Sequence, residues 1–208
     1  MKQTEQHVRA YEELSTRVKT FHHHVSILRD IADSIDKDTI NYLEIGCFAG
    51  GTACFMQQDP RVRVVSVDLG WPINPSVVSD NVESVIGNLD RFTYIQGNSQ
   101  LSSTVQQVSD LLSEVDILFI DGDHSRKGVF ADFNNYSPFV VNGGYIVFDD
   151  YLDFTHSPDV YAAVNDIVSD LKGYEVIGSV ENTFNAKPSS TKDERFSHLN
   201  EFILRKNG

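Results

Sequence analysis

The first forty residues carry an apolar stripe with the spacing of a helix. Apolar side chains recur at steps of three or four positions, which places them on one helix face. They are Val8, Tyr11, Leu14, Val18, Phe21, Val25, Leu28, Ile31 and Ile35. The stripe predicts an N-terminal helical extension over residues 1–36, in one or two helices, ahead of a domain that spans residues 37–208. The pattern leaves open whether the stripe packs on that domain or on a second copy of the chain, so a homodimer is one arrangement that it allows.

Beyond Asn41 the pattern changes to short apolar runs that alternate with longer segments. Segments such as 101–112 and 126–139 are long enough for crossover helices, and strands that alternate with helices pair in parallel. The loop 187–194 is polar, so the last two runs resemble an antiparallel hairpin at one edge. The strand candidates are 42–45, 62–67, 92–95, 115–120, 144–148, 174–180 and 201–205. The expected fold is an α/β, doubly wound, Rossmann-like sheet of these seven strands with an antiparallel last strand.

Composition narrows the partners that we expect. The length of 208 residues suits a single domain with a full-size core. The net charge of -13, from 30 acidic and 17 basic side chains, repels phosphate backbones, so nucleic acid is not expected as the main partner. Two cysteines argue against a disulfide framework and fit a reducing compartment. Without a signal-like start or a membrane-length apolar run, we expect a cytoplasmic protein with no membrane partner.

A glycine-rich turn follows the first strand. Within Leu43–Thr52, Gly46 allows a sharp turn and the close approach of a ligand, and Gly50 and Gly51 open the following helix. The spacing G-x-x-x-G-G differs from the G-x-G-x-x-G of dinucleotide-binding folds. Glu44, just before the turn, suits a ligand that carries an ammonium group better than a pyrophosphate. The alternative is a purely structural strand-to-helix turn.

Polar residues also stand at the ends of the next two strands. Asp68 ends the second strand, where a carboxylate can accept hydrogen bonds from both ribose hydroxyls, a feature that dehydrogenases share. Asn98 and Ser99 follow the third strand, where a short polar side chain can meet an adenine edge. An ordinary turn followed by a serine N-cap explains this pair equally well.

Acidic residues cluster after the fourth and fifth strands. Asp121 and Asp123 follow the fourth strand, and Asp149 and Asp150 follow the fifth. Because neighbouring strand tips converge in a doubly wound sheet, these carboxylates repel one another unless a positive group lies among them. Oxygen ligands suit Mg²⁺ or Ca²⁺. The alternatives are turn formers and helix caps, above all Asp123, or direct contact of Asp149 or Asp150 with a substrate.

Taken in order, these motifs resemble those of class I S-adenosylmethionine-dependent methyltransferases. The nearest branch contains macrocin-type O-methyltransferases and cephalosporin-hydroxylase-like proteins, and catechol O-methyltransferase is a more distant relative. The resemblance covers residues 41–151 well, the C-terminal hairpin loosely and the first forty residues hardly at all. It is carried by Leu43–Thr52, Asp68, Asn98, Ser99, residues 120–125 and residues 143–150.

The resemblance implies a cofactor site for S-adenosylmethionine. Glu44, Gly46 and Thr52 would hold its methionine end at the turn that Gly50 and Gly51 complete. Asp68 would hold the ribose. Asn98 and Ser99 would hold the adenine.

The resemblance also implies a metal site and a catalytic base. Asp121, Asp149 and Asp150 would bind a divalent ion, expected as Mg²⁺. Relatives often carry Glu-Asp or Asp-Asn at the last pair, so Asp149-Asp150 is a slight departure that leaves the identity of the metal open. His124 takes the place of the lysine base of the catechol branch and would act with Asp121. A helix-start histidine bonded to backbone is the alternative.

The expected function is O-methylation of a hydroxyl on a small molecule, with metal assistance. Sugar or natural-product hydroxyls fit the nearest branch, and a phenol is the next choice. The rival is a non-catalytic or non-methylating nucleotide-binding Rossmann-like protein, because fold alone does not fix activity. Trp71 is a candidate for covering the adenine or the substrate, with a packed aromatic as the alternative. Tyr151 and His156 are candidates for lining the acceptor pocket, whereas the run His22–His24 points in several directions and is set aside.

Overall fold

A computed structural model describes residues 3–18, 23–180 and 201–207 of the chain. Phe21 of the apolar stripe, His22 of the histidine run and the predicted polar loop 187–194 lie outside the described residues.

The described residues form a seven-stranded sheet with the order β3-β2-β1-β4-β5-β7-β6. The first five strands pair in parallel, and the last strand is antiparallel to both of its neighbours. The predicted doubly wound α/β sheet with an antiparallel last strand is therefore confirmed. The strands are β1 (Ile40–Ile45), β2 (Val62–Asp68), β3 (Phe92–Gln96), β4 (Val115–Ile120), β5 (Val140–Phe148), β6 (Tyr174–Ser179) and β7 (Phe202–Lys206).

The helices cover both faces of this sheet. One hydrophobic cluster packs the first four helices against one face, and a second cluster packs the last three against the other. Among the described residues, no helix has both the length and the apolar character that crossing a membrane requires. The α-helices are α1 (Glu5–Ser15), α2 (Ile27–Asp33), α3 (Gly51–Gln57), α4 (Pro75–Ile86), α5 (Ser102–Leu111), α6 (Arg126–Tyr136) and α7 (Pro158–Asp170), with short 3₁₀ helices at His23–Ser26 and Ser137–Phe139.

The N-terminal helices pack on their own domain. The rings of Tyr11 on α1 and Phe55 on α3 meet edge to face at 5.1 Å between centroids. Within the described residues, most of the predicted stripe is buried in the same core as the sheet. The sequence left open whether the stripe packs on its own domain or on a second copy of the chain, and the structure shows that it packs on its own domain. The stripe therefore no longer gives a reason to expect a homodimer.

The strand register sets the position of the polar residues. Ile45 lies opposite both Val67 and Ile120, and Ile120 lies opposite Phe148. Because these parallel strands end level with one another, the residues that follow them emerge at one edge of the sheet. Ligands bind at this carboxyl edge in open α/β sheets.

Candidate active site

A cavity of about 480 Å³ opens at the carboxyl edge of the sheet. Its wall comes from the segments that follow β1 to β5. Eight predicted site residues line it: Gly46, Asp68, Asn98, Ser99, Asp121, His124, Asp149 and Asp150. Four do not line it: Glu44, Gly50, Gly51 and Thr52.

Gly46 is required by the close approach of two chain segments. Its φ is +86°, and a Cβ at this position would lie 1.9 Å from the carbonyl oxygen of Asp121. Gly50 also has a positive φ, and its Cβ would lie 2.9 Å from Cγ1 of Val78 on α4. Phe48 adopts a positive φ of 46° within the same turn, which is rare for a residue with a side chain. Gly46 therefore fixes the turn against the segment that carries Asp121.

Asp68 organises the turn from the neighbouring strand. One carboxylate oxygen, Oδ2, accepts hydrogen bonds from the backbone N–H groups of Cys47 at 3.0 Å and Phe48 at 3.2 Å. The other, Oδ1, accepts from the N–H of Gly70 at 2.7 Å. Asp68 thus lines the cavity and also holds the segments after β1 and β2 together.

Glu44 lies beneath the cavity rather than in its wall. The side chain is fully buried, and its carboxylate accepts hydrogen bonds from Ser66 Oγ at 2.5 Å and from Tyr42 Oη at 3.0 Å. Burial raises the pKa of Glu44 to about 7, against the lowering effect of these two hydrogen bonds. Glu44 does not line the cavity, and its direct contact with a bound ammonium group stays a prediction.

The adenine candidates differ in their local bonds. The side chain of Asn98 closes a turn, since its Oδ1 accepts from the N–H of Gln100 at 2.9 Å. The carbonyl of Ser99 accepts from Tyr136 Oη at 2.8 Å and from Asn135 Nδ2 at 3.2 Å, both on α6. The turn interpretation therefore describes Asn98, while Ser99 is anchored to α6 through its carbonyl oxygen and lines the cavity.

His124 lies between the acids that follow β4 and β5. Its Nε2 is 3.1 Å from Oδ1 of Asp121, and its Nδ1 is 3.4 Å from Oδ2 of Asp150. Ser157 completes the arrangement: its Oγ is 2.7 Å from Nδ1 of His124 and donates to Oδ2 of Asp150 at 2.7 Å. Asp150 itself has a positive φ of 57°.

The electrostatics of this cluster favour a charged imidazole. Burial lowers the pKa of His124, but its hydrogen bond to Asp121 and the charges of Asp121 and Asp150 outweigh burial and raise the pKa to about 9. Burial and the charge of Asp149 raise the pKa of Asp121 above its usual range. An imidazolium therefore supplies the positive charge that the crowded carboxylates need in the absence of another cation.

The same cluster has the geometry of a metal site. Asp121, His124 and Asp150 each offer a ligand atom, and these atoms all lie within 4.8 Å of one another. This set differs from the predicted Asp121, Asp149 and Asp150, because it contains the imidazole and leaves out Asp149. Two carboxylates with one imidazole suit first-row divalent ions as well as Mg²⁺.

The remaining candidates occupy different positions relative to the cavity. Trp71 lines the cavity with 80% of its surface exposed, so it is not a packed core aromatic. Asp123 accepts from the N–H of Ser125 at 3.0 Å at the start of α6, as its turn interpretation predicts. Tyr151 packs on Phe202 outside the cavity wall, with ring centroids 4.6 Å apart.

Ser157 is the residue of this site that sequence reasoning missed. It directly precedes α7, and serine before proline at a helix start indicates an N-cap. Nothing in the sequence connects it to His124, which is 33 positions away. Only the packing of α7 beside α6 brings the two side chains together.

Comparison with known proteins assigns the family. The profile of a methyltransferase domain family matches residues 43–151, which is more than half of the chain. The chain belongs to this family. The matched segment begins in β1 and ends just after Asp150, so it contains every predicted site residue.

The chain is similar to a viral protein in sequence and to solved structures in fold. An uncharacterized protein of Acanthamoeba polyphaga mimivirus is 36% identical over 202 residues, covering 90% of this methyltransferase and 88% of the viral protein. Cofactor-bound Rv0187 from MTB has a TM-score of 0.69 at 18% identity, with 98% and 90% of the two chains covered. The O-methyltransferase TomG from Streptomyces achromogenes, solved with SAM, has a TM-score of 0.68 at 12% identity, with 100% and 92% covered. The predicted class, a class I S-adenosylmethionine-dependent methyltransferase, is confirmed.

Proposed function

We propose that this methyltransferase transfers a methyl group from S-adenosylmethionine to a hydroxyl of a small molecule. The observation that carries the proposal is the convergence of Asp121, His124 and Asp150 on one wall of the cavity that Gly46 and Asp68 also line. A hydroxyl is a weak nucleophile at neutral pH, and such a cluster of acids and imidazole is suited to orient it and take up its proton.

The cofactor would lie along the segments after β1 to β3. Gly46 lines the cavity at the turn, where the methionine end would lie, and Asp68 lines it at the end of β2, where the ribose is expected. Ser99 and Asn98 line the far end, where the adenine would lie. Glu44 and Thr52 would act on the methionine end through the turn, because neither lines the cavity.

The acceptor hydroxyl would approach from the side of His124. In-line attack on the sulfonium methyl group needs the acceptor oxygen held opposite the sulfur, so positioning supplies much of the rate. His124 would remove the hydroxyl proton in its neutral form, which a pKa of about 9 makes the minor form at neutral pH. Asp121 lies beside Nε2 of the ring and Ser157 beside Nδ1. The acids on both sides keep the resulting imidazolium favourable.

The residues present fit a divalent ion as well. Asp121, His124 and Asp150 would hold it, with Asp149 beside them as the predicted third carboxylate. With the ion bound, His124 would be a ligand and not the base. When bound, such an ion lowers the pKa of a coordinated hydroxyl and orients it. Because the donor set includes an imidazole, we propose Mn²⁺ and similar first-row divalent ions as candidates beside the predicted Mg²⁺.

A small acceptor is supported by the size of the cavity and by the charge of the chain. A cavity of about 480 Å³ is of the size that holds a cofactor with a small partner. The net charge of -13 disfavours a polyanionic acceptor. TomG is an O-methyltransferase of tomaymycin synthesis, which supports a natural-product hydroxyl.

The test is methyl transfer from labelled S-adenosylmethionine to separate panels of sugars, natural-product alcohols, phenols and RNA. We expect labelled product with a hydroxylated small molecule, and a loss of rate in chelator that added Mg²⁺ or Mn²⁺ restores. Asp150→Asn is the matched variant, because asparagine tolerates the positive φ at this position while it removes the charge. Label only in RNA would contradict the small-molecule acceptor, and a rate that chelator leaves unchanged would contradict metal assistance.

A further inference from the structure

The segment after β2 places exposed apolar side chains at the cavity. Leu69 and Trp71 line the cavity with 61% and 80% of their surfaces exposed. Ile73, on the same segment, also lines the cavity and packs partly against the core. These three residues are called the apolar rim below. A group of exposed apolar residues beside a cavity is typical of a ligand-binding surface, whereas a single exposed apolar residue needs no explanation.

The backbone that carries the apolar rim is held by hydrogen bonds within the chain. Oδ1 of Asp68 accepts from the N–H of Gly70 at 2.7 Å. From the end of β3, Nε2 of Gln96 donates to the carbonyl oxygen of Leu69 at 3.3 Å. Trp71 directly follows this bonded turn. A ligand that covers the indole therefore does not have to order the segment first, which lowers the entropic cost of binding.

The proposed position of the cofactor leaves the apolar rim to the acceptor. The methionine end, the ribose and the adenine are expected at Gly46, Asp68 and Ser99, which line the cavity along the strand ends. The acceptor must then lie on top of the cofactor, between it and the mouth of the cavity. Because most of the surface of Trp71 is exposed, its indole lies at that mouth.

The chemistry of the cavity wall favours a flat and uncharged acceptor. Apart from the indole N–H, the side chains of the apolar rim offer no hydrogen-bonding group, so sugar hydroxyls would lose water there without gaining partners. An aromatic ring has no such cost and can stack on an indole. Among the lining residues that the structure describes, five are aspartates and none is a lysine or an arginine, which disfavours a phosphate or carboxylate on the acceptor.

We propose that Trp71 is a specificity-determining residue that stacks on the aromatic ring of the acceptor, and that the acceptor is an uncharged phenol. The inference rests on the proposed function, which supplies the reaction. The phenol oxygen forms a bond to the methyl carbon as the bond from that carbon to sulfur breaks. The products are the methyl ether, S-adenosylhomocysteine and the proton of the phenol. A phenol also suits the acid–base chemistry, because the pKa of a phenol such as the tyrosine side chain is only about 10.

The first test uses tryptophan fluorescence, because Trp71 is the only tryptophan in the 208 residues. The protein is titrated with S-adenosylhomocysteine and then with catechol, with excitation at the red edge, where catechol does not absorb. We expect little change with S-adenosylhomocysteine, and a shift of the emission to shorter wavelength when catechol is added. A full shift with S-adenosylhomocysteine alone would show that the indole covers the cofactor and would overturn the inference.

The second test compares methyl transfer to catechol and to vicinal cyclohexanediol, its saturated counterpart. The two compounds carry the same hydroxyls, so the comparison isolates the aromatic ring. We expect a KM for catechol that is lower by about 10-fold or more, since the saturated ring cannot stack. Equal KM values would overturn the inference and leave the proposed function intact. S-adenosylhomocysteine binding without methyl transfer to any hydroxyl compound would overturn both.

Variants of Trp71 separate stacking from a structural role. Trp71→Ala should raise the KM for catechol by about 10-fold or more and change kcat by less than about 3-fold, as expected for uniform binding. Trp71→Phe keeps an aromatic ring and should restore most of the affinity. The matched control is Leu101→Ala, an exposed apolar residue that does not line the cavity, and it should leave KM unchanged. A native KM in Trp71→Ala would overturn the inference.

Discussion

Nε2 of His124 lies 3.1 Å from Oδ1 of Asp121, with the ring held on its other side by Ser157. Both ring nitrogens therefore face oxygen atoms, which fits an imidazolium that donates in both directions. The acid side chains raise the pKa of His124 to about 9. Only the neutral form of His124, which prevails above about pH 9, could take up the proton of an acceptor hydroxyl.

Removing this imidazole should affect turnover and leave cofactor binding intact. We expect His124→Ala to lower kcat by about 100-fold or more, the usual contribution of a general base. Binding of S-adenosylhomocysteine should change by less than about 3-fold, or about 0.7 kcal/mol, and calorimetry measures it on the same preparation.

Ser157→Ala is the companion variant, because it keeps the imidazole and removes only its Nδ1 partner. It should lower kcat by less than His124→Ala does. Normal turnover in His124→Ala would remove both the base role and a role as ligand of a catalytic metal, and would favour a structural role of this histidine.

Glu44 should make the stability of the protein dependent on pH. Its pKa rises from 4.5 to about 7 on folding. A raised pKa means that the folded state prefers the protonated form, so this contribution is complete below about pH 4.5 and is lost as pH rises through about 7. At 1.36 kcal/mol per unit, the loss is at most about 3 kcal/mol.

Glu44→Gln keeps the shape of the side chain and removes the charge. At about pH 8 this variant should have a higher free energy of unfolding than the native protein, with little difference at about pH 4.5. Urea denaturation at both values measures this. Equal stabilities at the higher pH would show that the carboxylate is ionised in the fold at little cost.

Gly46 and Gly87 form a matched pair for the turn after β1. Both have a positive φ, +86° and +88°, but a Cβ meets the Asp121 carbonyl only at Gly46 and meets nothing within 4 Å at Gly87. Gly87→Ala should cost about 1–2 kcal/mol from backbone strain alone. Gly46→Ala adds a clash and should cost about 3 kcal/mol or more, with loss of S-adenosylhomocysteine binding. Similar losses of unfolding free energy in Gly46→Ala and Gly87→Ala, measured by denaturant unfolding, would show that the turn rearranges to accommodate a Cβ at Gly46.

Leu14 tests whether the N-terminal helices belong to the domain core. The predicted boundary at residue 36 treats residues 1–36 as an extension, yet Leu14 is buried in the cluster that includes Phe55 of α3. Leu14→Ala should lower the free energy of unfolding of the whole domain by about 2–5 kcal/mol. The exposed neighbour Glu12 is the control, and Glu12→Ala should change it by less than about 0.5 kcal/mol. A separate early transition in Leu14→Ala would show that α1 unfolds independently.

The fold could be predicted because buried parallel strands give continuous apolar runs. All six residues of β4 are buried, and all of them except Asp116 are apolar. The level ends of these strands then bring Asp68, Asp121 and Asp149 to one edge, as the sequence predicts. The order of the strands along the chain and their parallel pairing were sufficient to predict that these carboxylates share one edge of the sheet.

The finer geometry depends on contacts that a sequence does not record. The contact between Nδ1 of His124 and Oγ of Ser157 follows from how α6 and α7 pack. The positive φ of Asp150, in the segment after β5, is a second feature of this kind. The sequence also did not show that the carboxylate of Glu44 accepts hydrogen bonds from Tyr42 and Ser66. The choice between core and partner for the N-terminal stripe needed the tertiary structure as well.

The central claim is that the cavity binds S-adenosylmethionine, and calorimetric titration with S-adenosylhomocysteine and with NAD tests it most directly. The account predicts binding of S-adenosylhomocysteine, no binding of NAD, and a loss of binding in Asp68→Ala, since Asp68 both lines the cavity and holds the turn at Cys47. Binding of NAD without S-adenosylhomocysteine, or of neither compound, would contradict it.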